Sequence, residues 1–201
     1  MCIRDSTQLC PSPQWAAHIQ EEVLPFLANL APLGEYVLEL GPGPGAATEW
    51  LHPRVRQLVA VEWDEAAARR LSERYAGTNV EVLVGDATKL EFAADTFDSV
   101  ASFTMLHHVP TFWGQQLVLQ EAFRVLKPGG TFLGSDSLPS NGLHHFHEGD
   151  DYNPIDPASL LVRLQAVGFT QLTIVVDDNL KFVARKPDQS PPCLLYTSRC
   201  V

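Results

Sequence analysis

Short apolar segments alternate with helical segments over most of the chain, and this alternation limits the possible folds more than any other feature. Five apolar segments come first along the sequence, at 35–40, 57–62, 79–84, 97–103 and 130–135. Helical spacing of apolar residues recurs between them, at about 46–51, 64–75 and 113–126. Strands that alternate with helices form βαβ units, in which the strands are parallel and the helices cover both faces of the sheet. We therefore predict an α/β, doubly wound, Rossmann-like sheet.

The segments before and after these units complete the predicted fold. Residues 13–31 have the apolar stripe of an amphipathic helix, which Pro25 is expected to kink or split in two. After a loop over 137–155 and a helix over 157–167, two further strands at 170–176 and 180–185 flank the turn residues of a hairpin. The prediction is a seven-stranded, mostly parallel sheet with a C-terminal antiparallel hairpin. Lys127-Pro128-Gly129-Gly130 is expected to end the preceding helix.

A glycine-rich turn follows the first predicted strand. Gly41, Gly43 and Gly45 alternate with two prolines there, and Glu62 ends the second strand 21 residues after Gly41. Glycines allow a ligand to approach the backbone closely, the helix N-terminus behind them favours negative charge, and a carboxylate at that distance can accept both hydroxyls of a ribose. This pattern alone fits the loose dinucleotide fingerprint, so a nicotinamide-dependent oxidoreductase or a non-catalytic nucleotide-binding module is an alternative at this point.

Further motifs follow in order: Gly85-Asp86-Ala87 after the third strand, Phe97-Asp98-Ser99-Val100 in the fourth, and Leu126-Lys127-Pro128-Gly129-Gly130 before the fifth. Together with Glu39-Leu40-Gly41-Pro42-Gly43-Pro44-Gly45, this set resembles the class I S-adenosylmethionine-dependent methyltransferases, in particular the small-molecule, type 11-like group. The resemblance covers about residues 15–186. It implies a methyltransferase with S-adenosyl-L-methionine as its cofactor.

The resemblance also implies a cofactor site. Gly41, Gly43 and Gly45 would pass under the methionine part of the cofactor and Glu62 would hold the ribose hydroxyls. Asp86 and the backbone at Ala87 would recognise adenine. Glu39 would face the amino group, and the strand end at Phe103 would lie beside the methyl donor.

Three candidate catalytic residues lie where the fourth and fifth predicted strands end. His107 and His108 follow the fourth strand, and Asp136 ends the fifth. Ligands bind at the carboxyl edge of such sheets, and histidine titrates near neutral pH, so either histidine is a candidate general base. Asp136 is a candidate for contacting the acceptor. His144, His145 and His147 lack the ligand spacing of a metal site, and we predict no metal.

The acceptor separates two kinds of methyltransferase. Residues up to about 90 also resemble the ribosomal RNA adenine dimethylases, which carry an Asn-Leu-Pro-Tyr type motif after the fourth strand. That motif is missing from 102–110, and 14 Lys+Arg against 24 Asp+Glu give a net charge of −10. RNA recognition depends on basic residues. We therefore expect a small-molecule acceptor and no nucleic acid, with an RNA adenine dimethylase-like enzyme as the alternative.

The two ends of the chain resemble translated sequencing-adaptor sequence, at residues 1–6 and 193–201. Between them we predict one methyltransferase domain over 7–191, with its N-terminal helix at 13–31 and its core at 35–186. Only Cys10 of the four cysteines lies outside those ends, which favours a reducing, cytoplasmic location. No apolar run approaches the roughly 18 residues that span a bilayer, so no membrane association is expected.

Overall fold

The computed structural model describes residues 13–139 and 152–188, and the proposed adaptor-like ends lie outside them. Its strands are β1 (Tyr36–Leu40), β2 (Gln57–Glu62), β3 (Val80–Val84), β4 (Phe97–Phe103), β5 (Leu126–Asp136), β6 (Thr170–Val176) and β7 (Leu180–Arg185). Its α-helices are α1 (Pro13–His18), α2 (Leu24–Leu30), α3 (Ala46–Leu51), α4 (Glu65–Arg74), α5 (Phe112–Val125) and α6 (Pro157–Val167). Most predicted elements lie within a residue or two of these bounds.

All seven strands form one sheet in the order β3-β2-β1-β4-β5-β7-β6. The neighbours from β3 through β5 are parallel, whereas β7 is antiparallel to both β5 and β6. The predicted seven-stranded sheet with its C-terminal hairpin is thus confirmed. The chain leaves β1 toward β2 and β3 and then returns to β4 on the other side. Ligands bind at the point where the strand order reverses in this way, just beyond the carboxyl ends of the strands.

Apolar residues on the two faces of the strands build two separate cores. Leu38, Leu40 and Phe132 pack with residues of α5 and α6 on one face. Val37 and Leu133, one position along, pack with the N-terminal helices and α3 on the other. Successive side chains of a strand point to opposite faces, so a run of apolar residues is needed to bury both. The near-continuous apolar strands of the sequence follow from this two-sided burial.

The helix predicted over 13–31 is interrupted before Pro25. A five-residue π-helical segment, Ile19–Val23, joins α1 to α2, and Pro25 lies in the first turn of α2. Proline has no N–H to donate to the carbonyl of residue 21, so a regular α-helical turn cannot form across it. The wider turn keeps Ile19 and Val23 buried against the sheet.

The segment Lys127–Gly130 corrects one prediction. The helix does end before this segment, as expected, but the fifth strand begins at Leu126, opposite Phe97 of β4, and not at 130. The register then shifts, and Thr131 lies opposite Ser99. Gly129 donates its N–H to the Lys186 carbonyl at 3.0 Å, so the segment stays attached to the sheet as an irregular stretch of β5. Extra residues within a ladder form a bulge and do not necessarily end the strand.

Asp98 joins three segments at the amino end of the sheet. Its Oδ2 accepts from the N–H groups of Glu35 and Tyr36 at 2.9 and 2.8 Å, and its Oδ1 accepts from Lys127 Nζ at 2.6 Å. Burial raises the pKa of this carboxyl, but the hydrogen bonds from Lys127, Tyr36 and Glu35 outweigh it and hold the pKa below its ordinary value.

Replacing Asp98 tests whether this carboxylate stabilises the sheet. We expect Asp98→Asn to lower the free energy of unfolding by about 1–3 kcal/mol near neutral pH, because an amide cannot serve all three donors. The loss should shrink in acid, since a lowered pKa contributes stability only while the group is ionised. Urea denaturation measures both effects. Glu73→Gln, at an exposed position of α4, is the control, and equal losses in the two variants would contradict the assigned role.

Candidate functional site

The glycine-rich turn lies at the carboxyl end of β1 and adopts a conformation that glycine favours. Gly41, Gly43 and Gly45 have φ values of 63°, 52° and 86°. A Cβ on Gly41 would overlap the Met105 side chain, and one on Gly45 would lie 2.6 Å from Leu71 Cδ1. A Cβ on Gly43 would meet no atom within 4 Å. The turn is therefore packed closely at its two ends and open at its centre.

Glu62 fixes the open centre of the turn. Its Oε2 accepts from the Gly43 N–H at 3.0 Å, and its Oε1 accepts from the Asp64 N–H at 3.0 Å. A carboxylate has about four lone-pair positions, so two remain after these bonds. Trp63, next in the chain, exposes 68% of its surface at the same strand end.

Glu39 lies beneath the turn and is buried, with only 2% exposure. The Thr48 hydroxyl of α3 donates to Glu39 Oε2 at 2.7 Å. Burial raises the pKa of the Glu39 carboxyl to about 7; the Thr48 hydrogen bond lowers it, and the nearby Glu62 charge adds to the rise. The carboxyl is thus poised to change its charge near neutral pH.

Asp86 and Ala87 follow β3 on the far side of Glu62. Thr88 donates to Asp86 Oδ1 through both its N–H, at 2.8 Å, and its hydroxyl, at 2.7 Å. Both Asp86 and Ala87 are half-buried. The Gly85 N–H donates to the Glu62 carbonyl at 3.0 Å, so these residues share one edge of the sheet with the glycine turn.

The carboxyl end of β4 separates the turn from β5. The Phe103 side chain packs into the core beneath the N-terminal helices, where it is 5% exposed. Thr104 has a positive φ of 50° and donates its N–H to the Ser135 carbonyl at 2.8 Å. Met105 then packs against Gly41. The backbone at this strand end therefore touches both the glycine turn and β5.

His107 and Asp136 form a buried pair. His107 Nδ1 lies 2.5 Å from Asp136 Oδ1, and the two residues are 3% and 1% exposed. The Ser137 N–H also donates to Asp136 Oδ1, at 2.8 Å. The half-buried His108 ring lies 4.1 Å from the His107 ring, between centroids. The structure thus brings all three predicted catalytic residues to one edge.

The sequence did not predict the residues that hold in place the turn carrying His107 and His108. Gln115 of α5 donates to the carbonyls of Leu106, at 3.0 Å, and Asn153, at 2.7 Å. Arg163 of α6, 7% exposed, donates to Gln115 Oε1 at 3.0 Å. Their positions on helices give no sign in the sequence of contacts to residues 38 and 48 positions away.

A second group of residues forms a pocket of about 180 Å³ beside this edge. Its lining residues come from the N-terminal helices, from the ends of β4 and β5, and from the β6–β7 turn: Trp15, His18, Ile19, Thr104, Ser135, Asp136, Ser137, Asp178 and Asn179. Of the predicted catalytic residues, only Asp136 lines it. The sequence pattern had marked Asp178 and Asn179 only as turn residues.

Residues 13–139 and 152–188 hold no group of three or more acidic, histidine or cysteine side chains arranged for a metal ion. His144, His145 and His147 lie outside these ranges. Within the same ranges, none of the helices combines the length and the apolar character that a bilayer crossing requires.

Comparison with known proteins agrees with this geometry. A family model described as a methyltransferase domain matches residues 38–134. An uncharacterised methyltransferase of Mycobacterium bovis is 32% identical over 135 residues, which are 65% of this chain and 66% of that protein. A probable ribosomal RNA small subunit methyltransferase A of Pyrobaculum aerophilum is 40% identical over 84 residues, which are 41% of this chain and 36% of that one. The chain spans 36% to 42% of the length of several such relatives.

A solved structure shares the fold at lower identity. A protein from Pyrococcus horikoshii superimposes with a TM-score of 0.72 at 23% identity, covering 88% of this chain and 93% of that one. Together, the strand order, the glycine turn and the matched domain define a class I S-adenosylmethionine-dependent methyltransferase. The matched domain and the methyltransferase relatives support S-adenosylmethionine as the cofactor.

The raised pKa of Glu39 predicts how stability depends on pH. The folded state favours the protonated carboxyl, so the wild-type protein should lose stability as pH rises from about 4.5 to about 7, by up to ~3 kcal/mol. Glu39→Gln removes the charge and keeps an oxygen for Thr48. We therefore expect this variant to become progressively more stable than the wild type between pH 5 and 8 in urea denaturation.

The exposed Glu73→Gln in α4 is the matched control for the Glu39 experiment, and its difference from wild type should not vary with pH. A constant difference for Glu39→Gln as well would show that Glu39 is ionised in the folded protein throughout this range.

Proposed function

We propose that the protein transfers the methyl group of S-adenosylmethionine to a small-molecule acceptor. In this proposal the cofactor lies over the glycine turn and the acceptor lies at the ends of β4 and β5. The observation that carries it is the open space at Gly43, whose N–H is held by Glu62 at the point where the strand order reverses.

The side chains around the turn fit the groups of the cofactor. The two remaining lone-pair positions of Glu62 suit the two ribose hydroxyls. Among the described residues no hydrogen bond engages Asp86 Oδ2, which leaves it for the adenine amine, with the Ala87 backbone beside it. Exposed Trp63 offers a flat apolar face. Glu39, beneath the turn, is the candidate partner of the cofactor's ammonium group.

Orientation is the main contribution that the protein makes to the reaction. When bound, S-adenosylmethionine supplies a methyl group on a sulfonium, which a nucleophile displaces in line. Holding two reactants in this geometry can lower a barrier by about 7–11 kcal/mol. Thr104 and Met105 separate the glycine turn from the pocket by a single strand end, so the two reactants would lie side by side.

An acceptor nitrogen or oxygen that carries a hydrogen must also lose a proton. Asp136 lines the pocket and is the proposed contact to that hydrogen. His107 binds the other side of Asp136 and acts in this proposal as a positioning residue. The half-buried His108 is then the histidine proposed as the general base that takes up the proton.

Two observations favour a small molecule over RNA. Among the described residues, no Lys or Arg lines the pocket, and the chain has a net charge of −10. Phosphate backbones are bound mainly through Lys and Arg. The relative named for ribosomal RNA matches 84 residues, and RNA therefore remains the alternative acceptor. The methyltransferase domain match favours methyl transfer over the nicotinamide-dependent alternative. A cytoplasmic location remains a prediction.

A pair of glycine variants tests the cofactor site. Gly43 and Gly77 both have positive φ, and an added Cβ meets nothing within 4 Å at either position. Alanine should therefore cost similar backbone strain, on the order of 1 kcal/mol, at both. Only Gly43→Ala places a methyl group in the proposed cofactor space. We expect a tenfold or greater loss of S-adenosylhomocysteine affinity for Gly43→Ala and little change for Gly77→Ala by calorimetry. Equal affinities would remove the cofactor from this turn.

Turnover distinguishes an enzyme from a binding protein. With methyl-labelled S-adenosylmethionine and a panel of small alcohols and amines, we expect label in at least one acceptor and none in ribosomal RNA. Label in RNA alone would replace the proposed acceptor class. Binding of the cofactor without label in any acceptor would contradict the proposal that small alcohols or amines are the methyl acceptors.

A further inference from the structure

The pocket at the ends of β4 and β5 shows what kind of acceptor it takes. We infer that it binds a neutral or cationic hydrogen-bond donor, an amine or an alcohol, and discriminates against anionic acceptors. This inference rests on the proposed function, because it identifies the pocket as the acceptor site. The volume of about 180 Å³ corresponds to roughly six waters at ~30 Å³ each, which suits a small molecule or one end of a larger one.

Buried polar atoms without a partner cluster on this pocket. Among the described residues, Asp136 Oδ2, Asn179 Oδ1 and Ser135 Oγ are buried and have no hydrogen-bond partner, and all three residues line it. A buried polar atom left unpaired costs about 1–3 kcal/mol, so such atoms are rare unless a ligand or water completes them. Two of these three atoms can only accept, so the completing molecule must bring donors.

The two oxygens that can only accept hydrogen bonds, Asp136 Oδ2 and Asn179 Oδ1, are held in place because the other polar atom of each side chain is already hydrogen-bonded. Asp136 Oδ1 is occupied by His107 Nδ1 and the Ser137 N–H, which leaves Oδ2. Asn179 Nδ2 donates to His18 Nε2 at 2.9 Å, which leaves its Oδ1. His18 Nδ1 lies 3.2 Å from Glu22, so a proton on Nδ1 makes both bonds of the ring consistent. The residues that supply these bonds therefore fix the positions of both hydrogen-bond-accepting oxygens before any ligand arrives.

The charges of the lining also favour a donor. Within the part of the chain that the structure describes, the lining has two carboxylates, Asp136 and Asp178, and no Lys or Arg. The nearby Lys181 is paired with Asp177 at 2.6 Å. An anionic ligand would face like charge without a compensating cation, whereas an ammonium group would find an unpaired carboxylate oxygen. Like-charge juxtaposition of this kind is a common means of rejecting the wrong ligand.

The experiment uses three probes on one carbon skeleton: 2-phenylethylamine, 2-phenylethanol and phenylacetate. Each is titrated by calorimetry into the protein with and without S-adenosylhomocysteine. We expect the amine and the alcohol to bind at least tenfold more tightly than phenylacetate. Asp136→Asn should reduce amine affinity tenfold or more while affecting the alcohol less.

Asp178→Asn is the second variant, because Asp178 is exposed and its replacement leaves the buried His107–Asp136 pair intact. It should weaken amine binding severalfold, whereas Asp95→Asn, an exposed residue outside the pocket lining, should not. Equal or tighter binding of phenylacetate would overturn the inference. So would no binding of either donor probe at millimolar concentration, or unchanged amine affinity in both pocket variants. Failure of S-adenosylhomocysteine itself to bind would instead contradict the proposed function, since the probe titrations without it are read separately.

Discussion

A parallel sheet places the carboxyl ends of its strands along one edge, and the whole candidate site depends on that constraint. The glycine turn ends β1, Glu62 ends β2, Asp86 follows β3, His107 follows β4 and Asp136 ends β5. None of these residues is close to the next in sequence. They meet because right-handed crossovers return the chain to the same edge each time. The reversal of strand order between β1 and β4 then opens the space into which Gly43 faces.

Hydrogen bonding differs between Asp98 and the carboxylates of the candidate site. Both oxygens of Asp98 accept hydrogen bonds, from Lys127 and two backbone amides, and these bonds lower the pKa of its carboxyl. Asp136 is more deeply buried than Asp98 but keeps one oxygen without a partner among the described residues. Glu39 is the third case, since burial raises its pKa to about 7. An oxygen left without a partner is available to a ligand in the proposed function, and leaving it unpaired while buried has a cost in stability.

The parts of the site that could be predicted from sequence are those whose signals are local. The glycines of Gly41–Gly45 predict a turn, and the positions of Glu62 and Asp86 at the ends of apolar strands predict that they lie at the edge of the sheet. The start of β5 was predicted too late for the same reason. Proline and glycine usually end an element, but here Lys127–Gly130 lies in an irregular stretch of β5. His18 and Asn179 meet across 161 positions, and no local pattern marks a contact that only the tertiary fold creates.

The proposed cofactor site and the pocket beside it also differ in how much of each lies within the matched methyltransferase domain. The matched methyltransferase domain ends at residue 134, and it contains Glu39, the glycine turn, Glu62 and Asp86. Every lining residue of the acceptor pocket except Thr104 lies outside that match. The N-terminal helices and the β6–β7 turn therefore supply most of the described pocket lining from outside the matched domain. In the proposed function, acceptor choice depends on Asp136, Asp178, Asn179 and the helix residues beside them, which lie outside the matched domain, whereas the candidate bases His107 and His108 lie within it.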